Sequence, residues 1–273
     1  MVADLHLHTT ASDGTWLPGE LPKKARDLSI RIIAITDHDT VYGVKEALAN
    51  TPNGITIIPG IELSTNYQGA EVHLLGYWID THNRTLTKTL VELRADRHNR
   101  AKNIIANLDD QEIHIHYEDV KALAGQGSLG RLHIAKALID AGYVKSIQEA
   151  FLRFIGPTGS AYEPRTQLST EQAIGLVLEA GGVPVLAHPG VIGLNDSAIP
   201  KLKALGLQGL EVKHPNHTFL QEAHYLSLCK KFALAPTGGS DCHGPGGKEI
   251  LHIGTVTIPE RWVYQLKARM LYP

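Results

Sequence analysis

The chain opens with an apolar strand that ends Asp4-Leu5-His6-Leu7-His8, with Asp13-Gly14 close behind. Alternate residues of a strand project from one face, so His6 and His8 point the same way from its carboxyl end. Two imidazoles held like this, with the Asp13 carboxylate nearby, form a corner suited to a metal ion. Later apolar runs carry similar groups: Asp37-His38, Glu62, His73, His188, and Asp241 with His243. The set His6, His8, Asp13, His38, Glu62, His73, His188, Asp241 and His243 is too large for one ion and suits two or three. Nitrogen and oxygen donors without thiolate favour manganese, iron or zinc over copper(I) or an iron–sulfur cluster.

Short β-rich runs must position these groups. Strands are expected at residues 2–8, 31–36, 55–60, 71–78, 183–187, 208–213 and 233–237, with helices at 17–28, 40–49, 170–180, 197–205 and 218–232. Nearly continuous apolar runs, such as Ile30 to Ile35 and Val183 to Ala187, suit parallel strands covered on both faces. The alternation predicts an α/β fold, a distorted or incomplete seven-stranded barrel of parallel strands. The active site of such a barrel lies at the carboxyl ends of the strands. Gly238-Gly239 is expected to let the chain turn closely beneath the site, and Cys242 to pack away from it.

One stretch breaks the rhythm. Residues 82–168 read as helices at 85–108, 117–124, 129–141 and 146–154, with a return loop at 156–165. The domain reading is therefore a barrel from residues 1–81 and 169–273, with a helical cap inserted at 82–168.

Composition sets outer limits. The hydrophobic fraction of 43% supplies a sizeable core, and a net charge of −2 gives no electrostatic footprint for long nucleic acid or an anionic membrane. That charge is silent on a small phosphorylated ligand. Two cysteines do not make a disulfide framework and suggest a reducing compartment. With no leader-like start and no membrane-length apolar run, a cytoplasmic protein off the membrane is expected. No obligate protein partner is indicated.

The ordered motifs resemble the PHP (polymerase and histidinol phosphatase) family. They are Asp4-Leu5-His6-Leu7-His8-Thr9, Ile35-Thr36-Asp37-His38-Asp39, Pro59-Gly60-Ile61-Glu62, Val72-His73-Leu74-Leu75-Gly76, Leu186-Ala187-His188-Pro189-Gly190 and Gly239-Ser240-Asp241-Cys242-His243. The resemblance implies a distorted (β/α)7 TIM-like barrel with a trinuclear phosphoesterase site. His6, His8, Glu62 and Asp241 would hold one ion; Glu62, His73 and His188 a second; Asp13, His38 and His243 a third. Manganese is the first choice, with iron, zinc or magnesium as alternatives. A water between two ions would be acidified into a nucleophile, which predicts in-line attack by a metal-bridging hydroxide without a phosphoenzyme. Asp37 is expected to orient a ligand imidazole.

Within that family the chain is similar to stand-alone 3′,5′-nucleoside bisphosphate phosphatases, some of which trim short RNA from its 5′ end. The similarity rests on Arg97-His98-Asn99-Arg100, Gly130-Arg131-Leu132-His133 and Leu210-Glu211-Val212-Lys213-His214-Pro215. It makes Arg100, Arg131 and His133 candidates for the non-scissile phosphate, because an Arg at a helix start can grip phosphate with two prongs. His214 is a candidate to protonate the leaving oxygen or touch substrate, with a plain turn before Pro215 as the alternative. The expected reaction is release of the 3′-phosphate from a nucleoside 3′,5′-bisphosphate, with 5′→3′ cleavage of short RNA beside it. Histidinol phosphate is the alternative substrate, and a non-catalytic nucleotide sensor the alternative of a different class.

Overall fold

A computed structural model describes residues 2–125, 127–164, 168–245 and 252–270. In chain order the elements are β1 (Val2–Asp4), α1 (Leu21–Asp27), β2 (Ile32–Ile35), α2 (Tyr42–Ala49), β3 (Thr56–Tyr67), β4 (Ala70–Tyr77), α3 (Arg84–Asp109), α4 (Tyr117–Ala124), α5 (Arg131–Asp140), α6 (Ile147–Ala150), β5 (Leu168–Ser169), α7 (Thr170–Glu179), β6 (Val183–Leu186), α8 (Pro189–Ile192), α9 (Ala198–Ala204), β7 (Gly209–Lys213), α10 (Phe219–Lys231), β8 (Ala235–Gly238), β9 (Ile258–Pro259) and α11 (Glu260–Lys267). The chain divides into two compact units, Met1–Lys88 with Gln167–Pro273, and Thr89–Thr166. No helix among the described residues is long and apolar enough to cross a membrane.

In the first unit the strands form a mixed sheet in the order β8-β7-β6-β4-β3-β2-β1-β9, with β5 paired to β3. The sheet curls until its ends approach: Leu5 N donates to Gly238 O at 3.3 Å, and Leu7 bridges Cys242. This nearly closed, barrel-like sheet is the distorted barrel expected from the motifs. Strands β2 and β6 are buried at every residue, as their continuous apolar runs require.

The expectation of uniformly parallel strands is corrected at β4. It runs antiparallel to both β3 and β6. The cause is a two-residue hairpin at Gln68-Gly69, where φ is +53° and +91°, a pair of left-handed residues that matches the twist of adjoining strands. A parallel return would have needed a crossover of a dozen or more residues. The hairpin also lengthens β3 to Tyr67, well past the expected end at residue 60. His73 therefore lies near the start of β4 and still reaches the carboxyl ends of the parallel strands, beside Ser64 on β3.

The second unit is helical around Ala101, Ile104, Leu108, Val120, Ile134, Leu138 and Phe154. The single helix expected at 146–154 is instead α6 followed by a π-helical turn, Phe151–Ile155. Gly156 ends the turn by donating to Phe151 O at 2.8 Å, and a Cβ there would lie 2.4 Å from that oxygen. The expected return loop ends at Arg165, outside the described residues. Strand β9 and helices α8 and α11 were not anticipated.

Candidate active site

Leu5 and Leu7 are fully buried, and Leu7 packs with Leu21, Ile33 and Cys242. Anchoring these two residues in the core turns His6 and His8 to the opposite face, where both are inaccessible to solvent. Their rings sit 5.2 Å apart. His6 Nε2 lies 3.2 Å from Glu62 Oε2 and 3.3 Å from Asp241 Oδ1; His8 Nε2 lies 3.2 and 3.0 Å from the same oxygens. Glu62 stands within β3, and its other oxygen lies 2.9 Å from His73 Nδ1 and 3.0 Å from His188 Nε2. His38 Nδ1 approaches Glu62 Oε2 at 3.2 Å. A neighbouring group joins His243 Nε2 to Asp13 Oδ1 at 3.4 Å, with His8 Nδ1 at 3.9 Å.

These contacts resolve into three overlapping donor groups: His6, His8, Glu62 and Asp241; His38, Glu62 and His73; and His8, Asp13, His38 and His243. Within each group the potential ligand atoms lie within 4.8 Å of one another. His6 Nε2, both nitrogens of His8, Asp13 Oδ1, His38 Nδ1, Glu62 Oε2 and His188 Nδ1 are buried without a hydrogen-bond partner. Folded proteins rarely leave such atoms orphaned. Two donors each about 2.1 Å from one ion at a tetrahedral angle sit about 3.4 Å apart, close to the spacings seen here. The residues fit divalent ions.

A profile of the PHP domain matches residues 4–165. The chain belongs to the PHP family. A 5′-3′ exoribonuclease of Haemophilus influenzae is 35% identical, covering 89% of this chain and 90% of that protein. A 3′,5′-nucleoside bisphosphate phosphatase of Chromobacterium violaceum is 31% identical over 99% of this chain and 98% of its own. A crystal structure described as a metal-dependent phosphoesterase from Bifidobacterium adolescentis matches with a TM-score of 0.90 at 32% identity, covering 99% of this chain and 96% of that one.

The PHP site holds its charges in a tight balance. Burial would push the Glu62 carboxyl up, but the positive charge of His6 and His73 and a hydrogen bond from His188 hold it well below the usual carboxylate range. Burial would also lower His8 and His73, yet Asp241 and Glu62 push His8 up to about 10, and Glu62 with Glu71 pushes His73 up to about 9. His38 goes the other way, down to about 3, driven by burial and by the positive charge of His8 and His73. A metal ligand must offer a bare nitrogen, so the upward push on His8 and His73 sets protons in competition with a metal ion. Metal binding should release protons, and affinity should rise as pH climbs from 7 towards those values. Calorimetry in buffers of different ionisation enthalpy should show at least one proton released at pH 7. An enthalpy independent of buffer would contradict this charge distribution.

Two backbone positions are strained where the site is built. His188 has φ +25° and Asp241 φ +50°, unusual for residues with a Cβ. The preceding Gly239 approaches so closely that a Cβ there would lie 2.4 Å from His6 N. Cys242 is fully buried with its thiol pushed up to about 11, and its Sγ accepts from Gly244 N at 3.4 Å. It packs, as expected, and offers no nucleophile.

Asp37 does not orient an imidazole, contrary to expectation. Neighbours on an extended chain point to opposite sides, so Asp37 faces away from His38. Its carboxylate accepts from Thr9 N at 2.7 Å, Thr9 Oγ1 at 2.7 Å and Ser12 Oγ at 2.6 Å, pinning the turn that leads to Asp13. The orienting role falls to Glu211 on β7, whose function the sequence did not suggest. Fully buried, it accepts from His6 Nδ1 at 2.9 Å and from His188 N at 2.8 Å. One signal was present: an acid inside the buried run Gly209–Val212 needs a partner.

His214 also reaches the site. Its Nδ1 accepts from Asn216 N at 3.1 Å, which leaves the proton on Nε2, 3.3 Å from Asp241 Oδ2. Within the inserted unit, Arg100 donates from Nε to Glu163 O at 2.8 Å and Arg131 from a terminal nitrogen to Ile155 O at 3.3 Å. Both guanidiniums lie within 6 Å of the Tyr162 ring, at 5.8 and 5.9 Å. His133 is buried, with Nδ1 accepting from Gly130 N at 3.0 Å across the first turn of α5.

Proposed function

We propose that this PHP protein is a metal-dependent phosphoesterase that removes the 3′-phosphate of nucleoside 3′,5′-bisphosphates and, at the same site, shortens small RNAs from the 5′ end. The observation that carries the proposal is the set of buried, unpartnered donor atoms gathered around Glu62 and Asp13, in a chain whose relatives over nearly its full length include a bisphosphate phosphatase and an exoribonuclease. The nine residues His6, His8, Asp13, His38, Glu62, His73, His188, Asp241 and His243 would hold two or three divalent ions, manganese first. Bound there, the ions supply Lewis acidity to the phosphoryl oxygens and acidify a water to a nucleophile near neutral pH.

The chain's own groups do the positioning. Glu62 meets His6, His8 and His38 through one oxygen and His73 and His188 through the other, so it fixes the spacing of the donor groups. Glu211 holds His6 in the tautomer that presents a bare Nε2. His214, with its proton directed at Asp241, positions that carboxylate in our reading, in place of the proton donor suggested by sequence. Arg100, Arg131 and His133 take the non-scissile phosphate, with Arg131 acting at a helix start. Cys229 and Cys242 are both buried thiols, in keeping with a cytoplasmic setting.

Phosphate release from adenosine 3′,5′-bisphosphate with Mn²⁺ tests the reading, with histidinol phosphate and a 5′-phosphorylated RNA trinucleotide alongside. Rapid conversion to AMP, far faster than histidinol phosphate turnover, is expected. Turnover of histidinol phosphate alone would reverse the assignment. Arg131→Ala should raise KM for the bisphosphate about tenfold or more, the worth of a charged hydrogen bond, and leave KM for an aryl phosphate nearly unchanged. Equal effects on both would remove Arg131 from the second phosphate.

A further inference from the structure

The inserted unit carries a concentration of positive charge that the net charge of the chain hides. Arg94, His98 and Lys102 stand four residues apart on α3, which puts them on one face of the helix in successive turns. From Arg94 to Lys102 this face runs about 12 Å. Helix α4 brings Tyr117 against its centre: the hydroxyl hydrogen-bonds His98 Nδ1 at 2.7 Å, and Lys102 Nζ lies 5.1 Å from the ring centroid. Lys121, one turn along α4 from Tyr117, extends the same charged surface. Its acidic neighbour is Glu118, 3.4 Å from Nζ and more exposed than the lysine itself. Burial, together with the charges of Arg94, Lys121 and Lys102, lowers the basicity of His98, so all three cations bear on one point.

Arg94 and Lys102 stand two turns apart with the weakly basic His98 between them, and Lys121 of α4 adds a third cation beside them. The arrangement is favourable when a polyanion lies across it. We propose that the face formed by Arg94, His98, Lys102, Tyr117 and Lys121 is a backbone-tracking surface for single-stranded RNA. Cations follow the phosphates, and the half-buried Tyr117 ring, packed on the core of the unit from one side, leaves its exposed part among them for a base of any identity. The ring separates this face from a simple anion patch. The proposal deepens the RNA activity proposed above and rests on it for its biological use. It uses none of the residues assigned to the metal donors or to the non-scissile phosphate.

The test is the triple variant Arg94→Gln, Lys102→Gln, Lys121→Gln in the full chain, with circular dichroism confirming the fold. Two measurements are made on variant and wild type. The first is fluorescence anisotropy of a labelled 5′-phosphorylated decanucleotide RNA across a salt series, without turnover. The second is KM for that RNA and for adenosine 3′,5′-bisphosphate. The variant should bind RNA about tenfold more weakly or worse, and its log K against log salt should be shallower by about 2, since each lost phosphate contact on a single strand removes about 0.7. KM for the bisphosphate should stay unchanged. Equal RNA affinity and salt slope in both proteins would overturn the proposal, and so would a matching rise in KM for both substrates. If the wild type turns over neither substrate, the proposed function fails, while the anisotropy comparison still decides on the surface.

Discussion

Glu62→Gln should lose at least about three orders of magnitude in kcat and should bind markedly less metal. This one carboxylate is the shared member of two donor groups, and five imidazoles approach its two oxygens within 3.2 Å. Lewis-acid stabilisation of a phosphoryl transition state is worth several kcal/mol, and each 1.4 kcal/mol or so is tenfold in rate. The amide keeps the shape of the side chain but gives up its charge and places an NH2 group among imidazole nitrogens. The expected signature is a joint fall in kcat and metal content with the far-UV spectrum intact. A variant with near-normal rate at matched metal content would show that Glu62 does not join the donor groups.

Glu211→Gln should weaken metal binding about 10- to 100-fold, the usual cost of losing a carboxylate that orients a ligand imidazole. Glu211 accepts two hydrogen bonds with two different oxygens, one from His6 Nδ1 and one from the His188 amide. A glutamine has one oxygen for two donors, so its NH2 must oppose either the imidazole N–H or the backbone N–H. The mismatch loosens His6 or shifts the strained His188 turn, and both flank Glu62. Metal dissociation constants read this effect directly. Nitrogen chemical shifts of His6 separate it from a general loss of fold, because the tautomer should no longer be fixed with the proton on Nδ1. Unchanged metal affinity with an unchanged His6 tautomer would show that Glu211 only fills space.

Most of the residues that gather around Glu62 were legible in the sequence because they stand at or beside the end of an apolar run, and a parallel sheet delivers such ends to one place. Strand β4 broke that logic without moving its ligand. Gln68 adopts a left-handed conformation that its side chain does not advertise, so the hairpin was missed. His73 nevertheless reaches the site, because the start of an antiparallel strand lies where its neighbours end. Adjacency misled at Asp37: sitting next to a ligand suggested a role in orienting imidazoles, whereas extended backbone sends neighbours to opposite sides. Glu211 shows the converse, a partner far from His6 in sequence that only the curl of the sheet brings near. The cationic face of the inserted unit was half visible. The spacing of Arg94, His98 and Lys102 lies on one helix, but Tyr117 and Lys121 join it only when α4 packs beside α3, and a net charge of −2 averages the cluster away.

The central claim is that the donor groups around Glu62 hold the metal ions on which phosphoester hydrolysis depends. The most direct test is to strip the purified protein with a chelator, restore Mn²⁺ in steps, and follow bound metal and AMP production from adenosine 3′,5′-bisphosphate in the same samples. The account predicts that stripped protein is inactive and that activity returns as the sites fill, to a limit of two or three ions per chain, with Glu62→Gln failing to recover. Full activity in stripped protein, or recovery unrelated to metal bound, would contradict it.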